Sequence, residues 1–199
     1  MTRAIHPIEI ESYRILRERV DLSHLPPLSR AVAERVIHAA ADVSFADSLV
    51  LDEEALRRGR QALLAGAPIL CDARMAAAGI TSRSPRVPLD DARVPDLANA
   101  EGLTRSAAAM RIAAAEAEPG AVWVVGNAPT ALDELVRRPP PEPALIVGLP
   151  VGFVGAAEAK AALAASGLPA VANVGERGGS AVAVAAVNAL IYFDPEQAR

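Results

Sequence analysis

The spacing of apolar residues divides the chain into two regions. Up to about residue 66, apolar positions such as Ile8 and Ile15 recur at helical spacing, and prolines and glycines interrupt the pattern. Ser29 stands before the second periodic stretch and is predicted to cap that helix, and a third helix is predicted to begin near Asp52. Residues 1–66 are therefore predicted to form a mostly helical segment.

In residues 67–199, short apolar runs alternate with helical stretches. The runs are Ile69–Cys71, Ala121–Val125, Ala144–Val147 and Ala170–Val174, and a further strand is predicted at Gly79–Ser82. The helical stretches are Ala73–Gly79, Ala128–Arg138, Ala156–Ser166 and Ser180–Phe193. Uninterrupted apolar strands separated by helices are typical of a parallel sheet that is covered on both faces. We therefore predict an α/β fold with four or five parallel strands, in a single domain over residues 1–199.

The loops that follow the predicted strands are the expected place for chemistry, because parallel α/β sheets bind ligands at the carboxyl ends of their strands. These loops are Asp72–Met75, Thr81–Arg86, Gly126–Thr130, Gly148–Gly155 and Gly175–Ser180. We expect the loops at the carboxyl ends of the strands, with His38 facing them, to line one large cleft. The segment 82–103 is long for a connection in a compact domain, which favours a lid or a pocket wall.

Composition and charge exclude several classes of protein. The net charge is −4 and no run of Lys or Arg occurs, which argues against a nucleic-acid partner. The longest apolar run, Ala181–Phe193, is too short to span a membrane, and no leader segment is visible, so a cytoplasmic protein without membrane contact is predicted. The single cysteine, Cys71, excludes an intramolecular disulfide and a multi-cysteine metal site, and we expect it to be buried and inert. The chain has 19 arginines and one lysine, Lys160.

Among the histidines, His38 has the strongest chemical setting. Helical spacing puts Glu34 and Asp42 on its side of the predicted helix, with small alanines beside them. A neighbouring carboxylate favours the protonated imidazole and fixes its tautomer, as a general acid requires. A histidine on a helix surface, with its hydrogen bonds satisfied and no catalytic role, fits the same pattern.

Two glycine-rich turns leave a different function open. Gly148–Gly155 follows a strand and opens a helix, as phosphate-binding turns do. Its G-x3-G-x2-G spacing departs from the dinucleotide fingerprint, and Pro150 removes one backbone donor. Gly175–Ser180 opens the last helix in a similar way. A nucleotide-binding α/β domain is therefore one alternative.

Seven stretches of the chain carry a resemblance together that none of them carries alone. They are 35–39 (RVIHA), 66–72 (GAPILCD), 75–79 (MAAAG), 104–109 (TRSAAA), 126–132 (GNAPTAL), 150–158 (PVGFVGAAE) and 178–180 (GGS). In this order and spacing they resemble the precorrin-8X methylmutase family of cobalamin biosynthesis. The resemblance covers nearly the whole chain. It implies a flavodoxin-like three-layer α/β/α fold with a five-stranded parallel sheet, and a homodimer.

The resemblance also implies a reaction and the residues that carry it. The enzyme would be an isomerase that moves the C11 methyl group of precorrin-8X, or of its cobalt form, to C12 and gives hydrogenobyrinate or cobyrinate. No cofactor and no metal site are implied, because the group moves within one molecule. His38 matches the catalytic histidine, whose proposed role is to protonate a ring nitrogen. The positions that match substrate contacts are Ser12, Thr81, Arg105, Asn127 and Ser180, and Tyr13 stands where relatives often have Phe.

The implied substrate and product are corrinoid tetrapyrroles, large flat rings fringed with carboxylates. Arginine forks bind carboxylates, so the arginines of the loops are predicted to hold them. These are Arg83, Arg86, Arg105 and Arg177. A corrinoid-binding carrier without turnover would need the same features and is the second alternative, which a turnover measurement distinguishes from the enzyme.

Overall fold

The computed structural model describes residues 6–195, and ten α-helices and five β-strands lie within that range. The helices are α1 (Pro7–Arg19), α2 (Pro27–Ala40), α3 (Phe45–Ser48), α4 (Glu53–Leu64), α5 (Arg74–Gly79), α6 (Val94–Glu101), α7 (Arg105–Glu116), α8 (Pro129–Arg137), α9 (Ala156–Ala165) and α10 (Ser180–Tyr192). The strands are β1 (Leu49–Leu51), β2 (Ile69–Cys71), β3 (Val122–Val125), β4 (Leu145–Gly148) and β5 (Ala170–Asn173). A short 3₁₀ helix covers Pro88–Asp90.

The five strands form one sheet in the order β1-β5-β4-β3-β2. Strands β2 to β5 are parallel, whereas β1 pairs antiparallel with β5 at one edge. Beyond β2, Arg86 pairs with Leu70 in a parallel bridge. Counting Arg86 as a one-residue strand gives the parallel part the 2-1-3-4-5 order of flavodoxin-like folds. The predicted three-layer α/β/α fold is confirmed, with a sheet that is mostly rather than wholly parallel.

The predicted strand at Gly79–Ser82 is wrong. The segment ends α5, where the backbone N–H of Ile80 donates to the carbonyl of Ala77 at 3.1 Å, and a turn follows. Ile80 is buried as a strand residue would be, but the chain returns to the sheet only at Arg86. The fifth strand is instead β1, which is three residues long and too short to stand out as an apolar run.

Side chains alternate between two cores along the central strands. Val124 and Leu145 pack on one face with residues of α2, α4 and α10, and Trp123 and Ile146 pack on the other with residues of α7, α8 and α9. Because both faces are covered, these strands are apolar throughout, which is the pattern that predicted them. Gly59 lets α4 lie close against the sheet, since a Cβ there would lie 2.6 Å from Cδ2 of Leu145.

The start of α2 is capped from a neighbouring helix rather than by Ser29. Helix α2 begins at Pro27, so Ser29 lies inside it and the predicted cap at Ser29 is wrong. The carboxylate of Glu53 accepts the backbone N–H groups of Leu28 and Ser29 at 3.0 and 2.8 Å, and the Ser29 hydroxyl at 2.8 Å. The predicted start near Asp52 is confirmed, because the Asp52 carboxylate accepts two N–H groups in the first turn of α4.

Helix α2 brings its last turn to the carboxyl edge of the sheet. Asp42, two residues beyond the helix, accepts a hydrogen bond of 2.6 Å from Arg177, which lies in the turn after β5. His38 is one helical turn before Asp42. The other end of α2 lies at the amino edge, beside α4. No helix among residues 6–195 is both long enough and apolar enough to cross a bilayer.

Candidate active site

His38 is held by a residue of another helix. Its Nδ1 atom lies 2.9 Å from the hydroxyl oxygen of Ser12, which α1 contributes. When the hydroxyl donates to Nδ1, the neutral imidazole carries its proton on Nε2, the nitrogen on the far side of the ring. The Ser12 contact therefore orients the ring through Nδ1. In the protonated imidazole, Nδ1–H donates to the Ser12 hydroxyl and Nε2 keeps its own proton.

Tyr13 stacks on the imidazole of His38. The two ring centroids are 4.9 Å apart and the planes are within 10° of parallel. The guanidinium carbon of Arg17 lies 5.9 Å from the centroid of the Tyr13 ring. Burial raises the pKa of the Tyr13 hydroxyl, so the phenol stays neutral in the physiological range. Sequence reasoning singled out Tyr13 only as a departure from relatives, although its place next to Ser12 put it near any partner of that serine.

The predicted carboxylate partners of His38 are bound elsewhere. Both carboxylate oxygens of Glu34 accept hydrogen bonds from Arg17, at 2.8 and 2.9 Å. Asp42 binds the Ser44 side chain and Arg177. The expectation that Glu34 or Asp42 holds the imidazole is therefore wrong, because the arginine forks outcompete it for the carboxylates. Ser12 takes that role.

Asp72 lies at the carboxyl end of β2 and is almost fully buried, with 2% of its surface exposed. Its carboxylate accepts three successive backbone N–H groups of the loop after β3, from Gly126, Asn127 and Ala128, at 3.1, 2.8 and 2.7 Å. Burial raises the pKa of Asp72, and the three N–H groups oppose that rise. Asp72 thus fixes the loop that carries Asn127, whose side chain is exposed at the carboxyl edge.

Ser180 opens α10 directly beside the same loop. A Cβ on Gly126 would lie 2.8 Å from the Cα of Ser180, so only glycine permits this approach without a shift. The Ser180 hydroxyl is buried and has no hydrogen-bond partner among the described residues. A buried hydroxyl without a partner is costly in a folded protein, and a ligand group at this position would satisfy it.

Arg105 lies at the start of α7 and lines a cleft at the carboxyl edge. The cleft has a volume of about 540 Å³. Its walls are Ala73, Arg74, Leu89, Asp90, Asp91, Ala92, Pro95 and Arg105. The segment 82–103 thus contributes a pocket wall, as predicted, although it also contains the unpredicted helix α6. Arg105 is exposed and its guanidinium can reach a ligand carboxylate.

A second cleft, of about 630 Å³, lies between α1, α2 and the end of α10. Its wall includes Tyr13, Arg17 and Glu34, so Tyr13 belongs both to this cleft and to the stack on His38. Arg105 is not in this wall, and Tyr13 is not in the wall of the first cleft. Neither wall includes His38, Asn127 or Ser180, so neither cleft is the single large cleft, lined by the loops after the strands, that the sequence led us to expect.

Comparison with known proteins identifies the family. The sequence profile of the family described as Precorrin-8X methylmutase matches residues 7–193. The chain belongs to this family. It is 49% identical over 191 residues to the precorrin-8X methylmutase of Pseudomonas aeruginosa, with 90% of this chain and 91% of that protein covered. It is 43% identical over 197 residues to the cobalt-precorrin-8 methylmutase of Salmonella typhimurium, with 93% of each covered.

A solved structure agrees with this assignment. The precorrin-8x methyl mutase of Thermus thermophilus is 37% identical and superimposes with a TM-score of 0.81, over 94% of this chain and 96% of that one. The predicted family and enzyme class are confirmed, since precorrin-8X methylmutases are isomerases. The reaction moves a methyl group within one corrinoid molecule.

Two of the methylmutase positions singled out from the sequence, Thr81 and Arg83, lie away from the others. They precede the Arg86 bridge, so they belong to the amino edge of the sheet and not to the carboxyl edge. Both are exposed, and the Arg83 guanidinium donates to the carbonyl of Leu63 in α4 at 3.0 Å. The expectation that the loop Thr81–Arg86 follows a strand is wrong for this reason.

The glycine-rich turn after β4 serves packing and displays apolar side chains in this methylmutase. A Cβ on Gly148 would lie 2.5 Å from Cδ2 of Leu163, so this glycine is required by the core. The turn exposes 92% of Phe153 and 87% of Val154, which suit an apolar surface better than a phosphate group. These contacts disfavour the nucleotide-binding alternative.

Cys71 is buried at the end of β2, as predicted. Burial, with a smaller contribution from the neighbouring Asp72 carboxylate, raises the pKa of its thiol to about 12. The thiol is therefore protonated at physiological pH and is inert as a nucleophile.

Proposed function

We propose that the chain moves the C11 methyl group of precorrin-8X, or of its cobalt form, to C12, and that His38 is the general acid. The observation that carries this proposal is the 2.9 Å contact between His38 Nδ1 and Ser12, two residues 26 positions apart that the family resemblance named separately. A histidine with one nitrogen engaged and its ring stacked on Tyr13 is suited to present the other nitrogen to a ligand.

In the proposed reaction, the protonated imidazole donates to a nitrogen of the corrinoid ring. The conjugated system becomes electron-poor, the bond from C11 to the methyl group breaks, and the bond from the methyl group to C12 forms. The product is an isomer of the substrate, so the proton that enters is balanced by one that leaves. No oxidant, reductant or second substrate is needed.

We infer that substrate carboxylates are bound by Arg105 and that Asn127 and Ser180 contact the ring substituents at the carboxyl edge. A guanidinium fork binds a carboxylate through two parallel hydrogen bonds. The unpartnered Ser180 hydroxyl supports a ligand contact there. The exposed side chains of Phe153 and Val154 supply an apolar surface at the same edge for the face of the ring.

We further propose that the enzyme works as a cytoplasmic homodimer in which a second copy contributes Thr81 and Arg83. Their position at the opposite edge of the sheet supports this, since one copy cannot easily bring them to the substrate beside Arg105. Light scattering would measure the mass in solution. Mixing inactive His38→Ala and Arg83→Ala proteins would restore activity only if each site draws on two copies.

The reaction is tested by incubating the purified protein with precorrin-8X and, separately, with its cobalt form. Catalytic conversion to the corresponding corrinoid product, followed by the change in absorption at substrate excess, is the expected result for one or both. The two relatives above are named for one form each, and the two rates decide which form this chain uses. Binding in a one-to-one ratio without turnover would identify a carrier instead.

A further inference from the structure

Lys160 is the one lysine of the chain, and it is buried in the layer of α7, α8 and α9. It lies in α9 with 1% of its surface exposed. Its ammonium donates to Asn173 Oδ1 at 3.1 Å and to the backbone carbonyl of Arg177 at 2.6 Å. Among residues 6–195, no carboxylate lies within ion-pair distance of it. A buried charge with only neutral partners is costly, so its retention calls for a reason other than stability.

The carbonyl of Arg177 is the point at which the turn of residues 174–179 is fixed. It accepts from Lys160 and also from the side-chain amide of Asn173, at 3.0 Å. The same turn is joined to the loop after β4 by two backbone bonds, from Gly152 to Glu176 at 3.1 Å and from Gly179 to Leu149 at 2.8 Å. The ammonium is the charged member of this set and therefore its strongest donor.

The turn contacts the proposed active site at two places. At its end, residues 178 and 179 lead directly into Ser180 and the start of α10. From its middle, the Arg177 guanidinium reaches Asp42 at 2.6 Å and lies 5.3 Å from the centroid of the Phe45 ring. Asp42 is one helical turn beyond His38. Arg177 thus accepts a hydrogen bond from Lys160 through its backbone carbonyl and binds Asp42, at the end of α2, through its side chain.

We propose that Lys160 is a positioning residue of the active site: by holding the Arg177 carbonyl it fixes the turn of residues 174–179, and through that turn the positions of Ser180 and of the end of α2. This inference rests on the proposed function, because it assigns Lys160 to that same site. The Lys160 ammonium donates to the Asn173 and Arg177 oxygens as a compact charge with three rotatable donors, whereas an arginine would present a larger, planar fork.

The variant Lys160→Met keeps the length of the side chain and removes its donors, and two measurements test it. Hydrogen–deuterium exchange should be at least tenfold faster at the amides of residues 174–180, with the sheet amides unchanged. With the corrinoid substrate, kcat should fall by about tenfold to a hundredfold while KM changes less than threefold, because misplaced groups lose transition-state contacts. Asn173→Ala removes one acceptor of the ammonium and should shift both quantities in the same direction, which keeps the test available if Lys160→Met does not fold.

Arg111→Met is the matched control. It breaks a partly buried ion pair of 2.7 Å with Glu134 in the same helical layer without touching the turn. It should lower stability and leave both the exchange of residues 174–180 and kcat within twofold of wild type. Unchanged exchange in Lys160→Met, or faster exchange with unchanged kcat, would overturn the proposal. If wild type shows no turnover, the proposed function fails, and the exchange measurement alone then decides whether Lys160 fixes the turn.

Discussion

Two loops at the carboxyl edge of the sheet are fixed from inside by buried ions of opposite charge. Under the loop after β3, the Asp72 carboxylate accepts the three backbone N–H groups of residues 126–128. Under the turn after β5, the Lys160 ammonium donates to the carbonyl of Arg177. The first loop turns its amides inward and the second turns a carbonyl inward, so each needs an ion that complements the backbone groups it presents.

Burial shifts both ions toward their neutral forms. It raises the pKa of Asp72 and lowers the pKa of Lys160 to about 8, where the Arg177 guanidinium adds to the lowering and Glu176 opposes it. Each charge is therefore held at a cost to folding. We infer that both are retained for the loop geometry they impose, since Asn127 and Ser180 lie on the loops that they fix.

The largest effect is expected from removing the carboxylate. Asp72→Ala leaves three inward-facing N–H groups without their acceptor and should lower the free energy of unfolding by about 3–5 kcal/mol. Asp72→Asn keeps the shape but presents one oxygen to three donors, so its loss should be smaller, about 1–2 kcal/mol. Urea unfolding measures both. Equal and small losses of the free energy of unfolding in the two variants would mean that the loop keeps its conformation without Asp72.

Lys160 can be tested through pH, because burial lowers its pKa. In the unfolded chain its pKa is near 10.5, and in the fold it is about 8, so between these values unfolding takes up a proton. Raising the pH through this window should therefore stabilise the wild type relative to Lys160→Met, by roughly 2–3 kcal/mol at most. Unfolding at pH 7 and pH 10 measures the difference, and other groups cancel because both proteins carry them. Parallel pH profiles would show that Lys160 is not desolvated.

A smaller effect, on binding alone, is expected at Arg105. This exposed side chain lines the cleft beside Ala73 but takes no part in fixing either loop. Arg105→Ala should weaken binding of the corrinoid product by about tenfold to a hundredfold, roughly 1.5–3 kcal/mol, and Arg105→Lys should weaken it less. Stability should not change in either. Arg57→Ala, an exposed arginine on α4, is the control, and equal loss of affinity in both would point to a general charge effect.

The parts of the fold that could be predicted are those where burial leaves a continuous apolar pattern. The four parallel strands were predicted within a residue or two for this reason. Strand β1 has three residues and pairs only at one edge, and α7 is so rich in alanine that its buried and exposed faces differ little in sequence. Local patterns carry no information about such elements, which depend on tertiary contacts.

The contacts around His38 could not be predicted from the sequence. Helical spacing correctly placed Glu34 near His38 along the chain, but could not show that Arg17, from another helix, binds both oxygens of that carboxylate. Asp72 stood directly after a predicted strand, which is a usable signal for a residue at the sheet edge. The only sequence signal for a special role of Lys160 was that the chain has one lysine. The alanines around it leave no clear difference between the polar and buried faces of α9, so its burial could not be predicted.

The central claim, that His38 donates the proton that starts methyl migration, is tested by single-turnover conversion of precorrin-8X with wild type and His38→Ala. If His38 donates this proton, the variant folds with wild-type stability, binds the product within a few-fold of wild type, and converts substrate roughly 10²–10⁴ times more slowly. A variant that keeps the wild-type rate within a few-fold would contradict the claim and leave His38 as a structural residue that Ser12 and Tyr13 hold in place.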